Sequence, residues 1–297
     1  MLIGYIGLGE MGGPLARRLQ GRHELLVHDL NPVAVEQMVN AGASAAGSIA
    51  EVGRRCDLVF LCLPTSAHVR SVIFTPEGLG ETMASGAMIV DQTSGDPRET
   101  RDMAEGLSGI GIGLVDAPVS GGPKGAEAGT IAIMVGATDD QYAGLAPILS
   151  AISGNLFHAG PVGSGHTIKL VNNLISTATR LLTFEAMALA VKNGMDANRA
   201  FEILMASGGR NSFMERMLGP HILKGDLSAG YTLGLAHKDV RLACQLGSDS
   251  GVPLFLGNLT RELYQMYMNE LGSGAKVDMA ALIVDRMAGT SIVPSPQ

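Results

Sequence analysis

The sequence predicts an α/β fold, with a doubly wound parallel sheet in the first half and an all-helical second half, on three observations. Up to about residue 160, short aliphatic runs alternate with helix-length amphipathic stretches. Several of those runs are almost wholly apolar, as strands covered by helices on both faces are. Beyond the turn-rich stretch Gly160-Pro161-Val162-Gly163-Ser164-Gly165 the periodicity is helical and strand signals nearly vanish. Strands are expected over 2–6, 24–28, 57–63, 87–91, 112–116, 130–135 and 155–158. The boundary falls after Val162, giving a first domain of residues 1–162 and a second of 163–297.

Composition supports two domains and removes several function classes. A chain of 297 residues is long for one core, and 46 % hydrophobic residues suffice to fill two. A net charge of −7 with scattered lysines and arginines argues against a nucleic-acid partner, because such binders concentrate positive charge on one face. Cys56, Cys62 and Cys244 are odd in number and far apart, so they read as thiols rather than a disulfide or metal set. No HExxH, paired CxxC or GxSxG occurs, and no metal is expected. Met1 leads directly into an apolar run without a basic region, which gives a cytoplasmic expectation. The hydrophobic stretch 170–191 is interrupted by Asn172, Asn173, Arg180 and Glu185, which a bilayer would hold at considerable cost, so it reads as a helix buried in protein. The tail after Gly289 reads as disordered.

The chemistry begins at the first strand. The run 2–6 enters Gly7-Leu8-Gly9-Glu10-Met11-Gly12, and a helix-like stretch follows. In a strand–turn–helix setting the first glycine permits the turn, the second admits a pyrophosphate, and the third lets helix and strand pack closely. Roughly twenty residues on, the second strand ends at Asp29, where a carboxylate can accept from the adenosine ribose hydroxyls and would repel a 2′-phosphate. The expected cofactor is therefore NAD, although Asp29 could also cap the helix starting near Pro32. The loops Leu63-Pro64 and Thr93-Ser94 fall at strand C-termini, where open α/β sheets bind ligands, and are expected to line the nicotinamide side.

Two further segments suit an acidic substrate. Ser120-Gly121-Gly122 follows a strand and can present backbone N–H groups and a hydroxyl to a carboxylate. Lys169 and Asn173 stand four apart on the apolar helical stretch after Gly165 and so share a face. A lysine on so apolar a helix must snorkel, pair or face a cleft, and partial burial would bring its pKa from about 10.4 towards 7–8, the range an acid/base needs. The competing bases are weaker: His158 ends a strand, and His166 has no acid nearby in the sequence to orient it. Asp239 reads as the ion-pair partner of Lys238.

Taken in order, GLGEMG, DAPVSGG, GxGxxxKLVNN and His237-Lys238-Asp239-Val240 resemble the β-hydroxyacid dehydrogenase family over nearly the whole chain. The resemblance implies a Rossmann domain plus a helical domain, assembled as a homodimer or homotetramer through the helices. It implies that Lys169 is the catalytic acid/base, that Asn173 helps hold the substrate, and that Ser120, Gly121 and Gly122 bind its carboxylate. It further implies that Lys238 closes over cofactor and substrate. The expected activity is hydride transfer between nicotinamide and the β-hydroxyl carbon of a small hydroxy acid such as 3-hydroxyisobutyrate, or reduction of a small semialdehyde such as tartronate semialdehyde. Imine reductases share the architecture but commonly lack the lysine; non-catalytic relatives would carry changes at Lys169, Asn173 or the Ser-Gly-Gly. 6-Phosphogluconate dehydrogenase looks related in its N-terminal half, but this chain has no arginine cluster near the expected site. If Arg210 faced the pocket, a more acidic substrate would follow.

Overall fold

The computed structural model describes residues 1–294, and the chain divides into two compact units, Met1–Lys169 and Leu170 onward. The first unit is built on one sheet of nine strands: β1 (Leu2–Ile6), β2 (Glu24–His28), β3 (Ser44–Ala45), β4 (Leu58–Leu61), β5 (Met88–Asp91), β6 (Gly113–Asp116), β7 (Val119–Ser120), β8 (Ala132–Gly136) and β9 (Leu156–Gly160). Six of them run parallel in the order β3-β2-β1-β4-β5-β6. The chain goes outward from β1 to β3 and then returns to place β4 on the other side of β1. That reversal opens a crevice at the C-terminal ends of β1 and β4, the place where open α/β sheets take ligands.

Alternation along each strand fills both faces. Leu58 and Phe60 pack with Tyr5, Leu15 and Val90 on one side; Val59 and Leu61 pack with Ile6, Val69 and Ile89 on the other. The helices that cover these faces are α1 (Gly12–Gln20), α2 (Pro32–Asn40), α3 (Ile49–Arg55), α4 (Ser66–Phe74), α5 (Leu79–Thr82), α6 (Pro97–Ser108), α7 (Gly122–Ala128) and α8 (Asp139–Leu149). The far edge departs from the parallel expectation, because β8 runs antiparallel to β6 and β7 while β9 pairs parallel with β8. A two-residue link from β6 into β7 and the short α7 that follows leave no room for a crossover, so the chain reverses instead.

The helix α9 (Ser164–Lys192) begins in the first unit and continues into the second. Among the described residues it is the one helix long and apolar enough to cross a membrane by length and composition. The second unit continues with α10 (Ala197–Met205), α11 (Leu233–Asp249), α12 (Phe255–Leu271) and α13 (Ala280–Ala288). Its core gathers Phe184, Phe213, Met214, Leu218, Tyr264 and Ile283, with Phe184 and Phe213 meeting edge to face at 5.3 Å. Arg180 is buried in this unit: its Nε lies 3.1 Å from Oδ1 of the wholly buried Asp278, and its guanidinium lies over Phe213 and Tyr231. The tail is ordered as far as it is described. Ile292 is buried, and the N–H groups of Ile292 and Val293 donate to Asp285 at 2.8 and 3.0 Å, so a buried acid, not the Ser-Pro composition, decides its course. The rest of that expected disorder, residues 295–297, lies outside the described residues.

Candidate active site

The glycine loop shows what each glycine is for. Gly7 has φ +96°, a left-handed conformation, and a Cβ there would lie 2.3 Å from the Cys62 carbonyl oxygen. A Cβ on Gly12 would fall 1.9 Å from the Gly7 carbonyl oxygen, so only glycine lets α1 approach β1 this closely. Around Gly9, nothing lies within 4 Å of where a Cβ would sit, which leaves space for a phosphate. Met11 at the N-cap of α1 offers no side-chain bond and the first turn holds no acid. The leading N–H groups of α1 and its positive end therefore suit an anion.

Asp29 lies against the same loop. Its Oδ2 accepts from the Leu8 N–H at 2.6 Å and its Oδ1 from the Asn31 N–H at 2.7 Å. The cap of α2 is Asn31, which accepts from Val33, so capping is not Asp29's task. Glycine loop and acid together fit the diphosphate and adenosine ribose of a dinucleotide. Glu10, beside the loop, is exposed.

The neighbouring loops are tied together through buried acids. The Leu63 N–H donates to Thr93 Oγ1 at 3.1 Å, and the Thr93 N–H donates to Asp91 Oδ1 at 2.9 Å, which joins Leu63-Pro64 to Thr93-Ser94. Asp91 and Asp116 are register partners at the ends of β5 and β6, and both are fully buried. Burial raises the pKa of Asp91, and the charge of Asp116 pushes the same way, while His166 and the Thr93 bonds oppose them. Cys62 is pushed up to about 12, by burial first and then by the charge of Asp91.

Asp116 anchors the start of α9. Its carboxylate accepts from the Gly163 N–H at 2.6 Å and the His166 N–H at 2.7 Å, groups of a helix start that have no partner within the helix. A Cβ on Gly165 would lie 2.3 Å from the Met134 carbonyl oxygen and 2.9 Å from Asp116, so the helix enters through a gap only glycine passes. His166 corrects the sequence expectation that it lacks an acid nearby. Its ring is wholly buried with Nε2 3.9 Å from Asp91 Oδ2. Nε2 donates to the Thr93 carbonyl at 2.8 Å, and Nδ1 meets Thr100 Oγ1 at 2.8 Å, so both nitrogens are spent on holding α9 to the loop after β5 and to α6. The other histidine, His158, stacks on Tyr142 at 4.6 Å, a packing role.

Lys169 follows His166 by one turn and is 9 % exposed, the most buried lysine of the unit. At the other expected anion site Gly121 and Gly122 have φ +143° and +70°, both left-handed, and no side chain caps the α7 start. Ser120 precedes them on β7.

In the second unit Asn173 is oriented by an acid that the sequence reading assigned only to Lys238. Asn173 Nδ2 donates to Asp239 Oδ2 at 2.6 Å, and Lys238 Nζ lies 3.2 Å from Asp239 Oδ1. One carboxylate thus fixes both side chains. Arg210 does not serve as a free cation: it pairs with Glu215, and its side chain is 60 % exposed. Asp116, Asp91 and Asp239 are the residues that sequence reasoning undervalued; for Asp91 and Asp116 the signal was an acid closing an apolar strand, and for Asp239 there was none beyond its neighbour Lys238.

Residues 2–160 match the family profile described as the NAD binding domain of 6-phosphogluconate dehydrogenase. Residues 163–284 match the profile described as NAD-binding of NADP-dependent 3-hydroxyisobutyrate dehydrogenase. The chain is 36 % identical over 293 residues to 2-(hydroxymethyl)glutarate dehydrogenase of Eubacterium barkeri, covering 98 % of this chain and 97 % of that one. The protein belongs to the β-hydroxyacid dehydrogenase family. Within the family it is 32 % identical to the 3-sulfolactaldehyde reductase of Escherichia coli strain K12, with 88 % of each chain covered. The solved Mycobacterium tuberculosis 3-hydroxyisobutyrate dehydrogenase with L-serine matches with a TM-score of 0.85 at 26 % identity, over 95 % of this chain and 98 % of that one. As a β-hydroxyacid dehydrogenase the protein is an oxidoreductase with a nicotinamide-dinucleotide domain. An imine reductase from Myxococcus stipitatus shares the fold alone, at 16 % identity and a TM-score of 0.65.

Proposed function

We propose that this protein is an NAD-dependent β-hydroxyacid dehydrogenase acting on a small hydroxy acid of the 3-hydroxyisobutyrate type, with Lys169 as general acid/base. The observation that carries the proposal is Lys169 itself, a buried lysine one helical turn beyond a helix start held by Asp116 and His166. Oxidising an alcohol requires its hydroxyl proton to leave, and Lys169 accepts it; in reduction Lys169 returns it. The nicotinamide, when bound, takes up or delivers the hydride. Ser120, Gly121 and Gly122 hold the substrate carboxylate with a hydroxyl and backbone N–H groups. Asn173, oriented by Asp239, bonds the substrate, and Lys238 contributes positive charge toward substrate and cofactor. NAD is favoured because the Asp29 carboxylate accepts from the glycine loop where a 2′-phosphate would bring a second negative charge.

The reductive alternative, a small semialdehyde as substrate, draws support from the relative named 3-sulfolactaldehyde reductase. The relative named for 2-(hydroxymethyl)glutarate broadens the panel to diacids. Exposed Ile175, Leu182 and Leu189 recur every seven residues along α9, which supports a homodimer or homotetramer built on that helix. The test is NADH formation across β-hydroxy acids, with NADP in parallel, semialdehydes in the reverse direction and Lys169→Ala as blank. A lysine-dependent signal with one acid is expected; equal rates in the Lys169→Ala variant would overturn the proposal.

A further inference from the structure

A cleft of about 350 Å³ lies beside α11 and α12 in the second unit and contains none of the residues assigned above. Arg241 of α11 and Arg261 of α12 both line it, with Cys244, Gln245, Leu254 and Asn258. A third basic side chain borders the pair. The pKa of His237, one turn before Arg241, is lowered by burial first and then by the charges of Arg241 and Arg261.

Two acids stand nearby: Glu262 pairs with Arg261, with Oε1 2.8 Å from Nε, and Asp249 accepts from Gln245 of the cleft wall at 2.8 Å, while Arg241 makes no ion pair with either. Like charges facing one concavity repel, and a bound counter-anion relieves the repulsion. Guanidinium groups offer forked donors that match carboxylate and phosphate oxygens, and the cleft volume lies in the small-ligand range. Arg241 follows Asp239 by two residues, which on a helix turns it to nearly the opposite side from the carboxylate that holds Asn173.

We propose that this cleft is a second ligand site, which binds a compact dianion, phosphoryl or dicarboxylate, between Arg241 and Arg261. The experiment is isothermal titration of inorganic phosphate, and separately of succinate, into the full-length protein saturated with NADH so that the glycine loop is occupied. One equivalent of either anion is expected to bind, and the tighter one identifies the ligand's class. Arg241→Gln with Arg261→Gln together should weaken that binding by at least about tenfold. Histidine NMR gives a second readout: the His237 ring signal, assigned with His237→Gln, should titrate at higher pH once the anion is bound. No heat from either anion, or equal affinity in a double variant that melts like the parent, would overturn the site.

Discussion

Replacing Asp116 by asparagine tests the way α9, the helix that carries Lys169, is held. The carboxylate accepts two short bonds, 2.6 Å from Gly163 and 2.7 Å from His166, in a place with no solvent access. Asparagine keeps one acceptor and turns an NH₂ toward the other N–H. The retained bond loses its charge assistance, about 1 kcal/mol, and the facing donors leave one buried N–H unsatisfied at about 1–3 kcal/mol. The favourable interaction of the negative charge with the start of α9 is lost as well, about 0.3–1 kcal/mol, while the desolvation cost of the carboxylate disappears. The balance is a destabilisation of about 3 kcal/mol, and for a unit of this length about 6–12 °C in melting temperature. Calorimetry of the cofactor-free protein measures the shift, and hydrogen exchange across 163–169 locates it. Turnover should fall with NADH affinity retained, because Lys169 sits one turn beyond the loosened bond. A melting point within about 2 °C of the parent with full turnover would refute the anchoring role.

Lys169→Ala should lower turnover by about 10²–10⁴-fold with the NADH dissociation constant unchanged, measured by steady-state kinetics and fluorescence titration. Asp29→Ala should weaken NAD by about tenfold or more and narrow the preference over NADP; an unchanged ratio of the two cofactors' kcat/KM would count against ribose recognition. Because the folded pKa of Asp91 is raised, chiefly by burial, its contribution to stability is complete below the ordinary carboxylate range and is lost as pH rises through the raised value. Asp91→Asn should therefore gain stability relative to the parent as pH rises above the ordinary carboxylate range in urea unfolding; parallel pH curves would show that the buried carboxylate carries no such cost. Cys56, buried and pushed up to about 11, first by burial, should resist iodoacetamide near pH 8 until the protein unfolds. Rapid labelling of Cys56 in the native protein would contradict that burial.

Local geometry was legible and distant polar partnership was not. Gly7, Gly9 and Gly12 lie within six residues, so the turn they make is readable locally, although the clash that excludes a Cβ at Gly7 is with Cys62; β1 and β2 span the expected runs 2–6 and 24–28. The strands β3 and β7 have two residues each, too few for periodicity, and they exist through pairing to β2 and β8. Strand direction at the β8 edge is equally silent, because an apolar run reads the same whether its neighbour is parallel or antiparallel. Asp116 reaches groups 47 and 50 residues away, and Asp239 reaches Asn173 across 66. No spacing rule spans such distances.

A physical rule recovers part of what was missed. Asp91 ends Met88-Ile-Val-Asp91 and Asp116 ends Gly113-Leu-Val-Asp116, and the strands that carry them are buried nearly throughout. An acid closing such a strand cannot reach water easily, so it must find N–H donors or be neutralised. Each found donors from a segment that carries site residues: Asp91 from the Thr93 loop, Asp116 from the first turn before Lys169. Asp29 directly follows β2 but is half-exposed, and it accepts from the glycine loop. At the C-terminal edge of a parallel sheet, then, an acid after an apolar run marks the segment that it holds, and the degree of burial separates anchors such as Asp116 from a carboxylate left partly open to solvent, as Asp29 is.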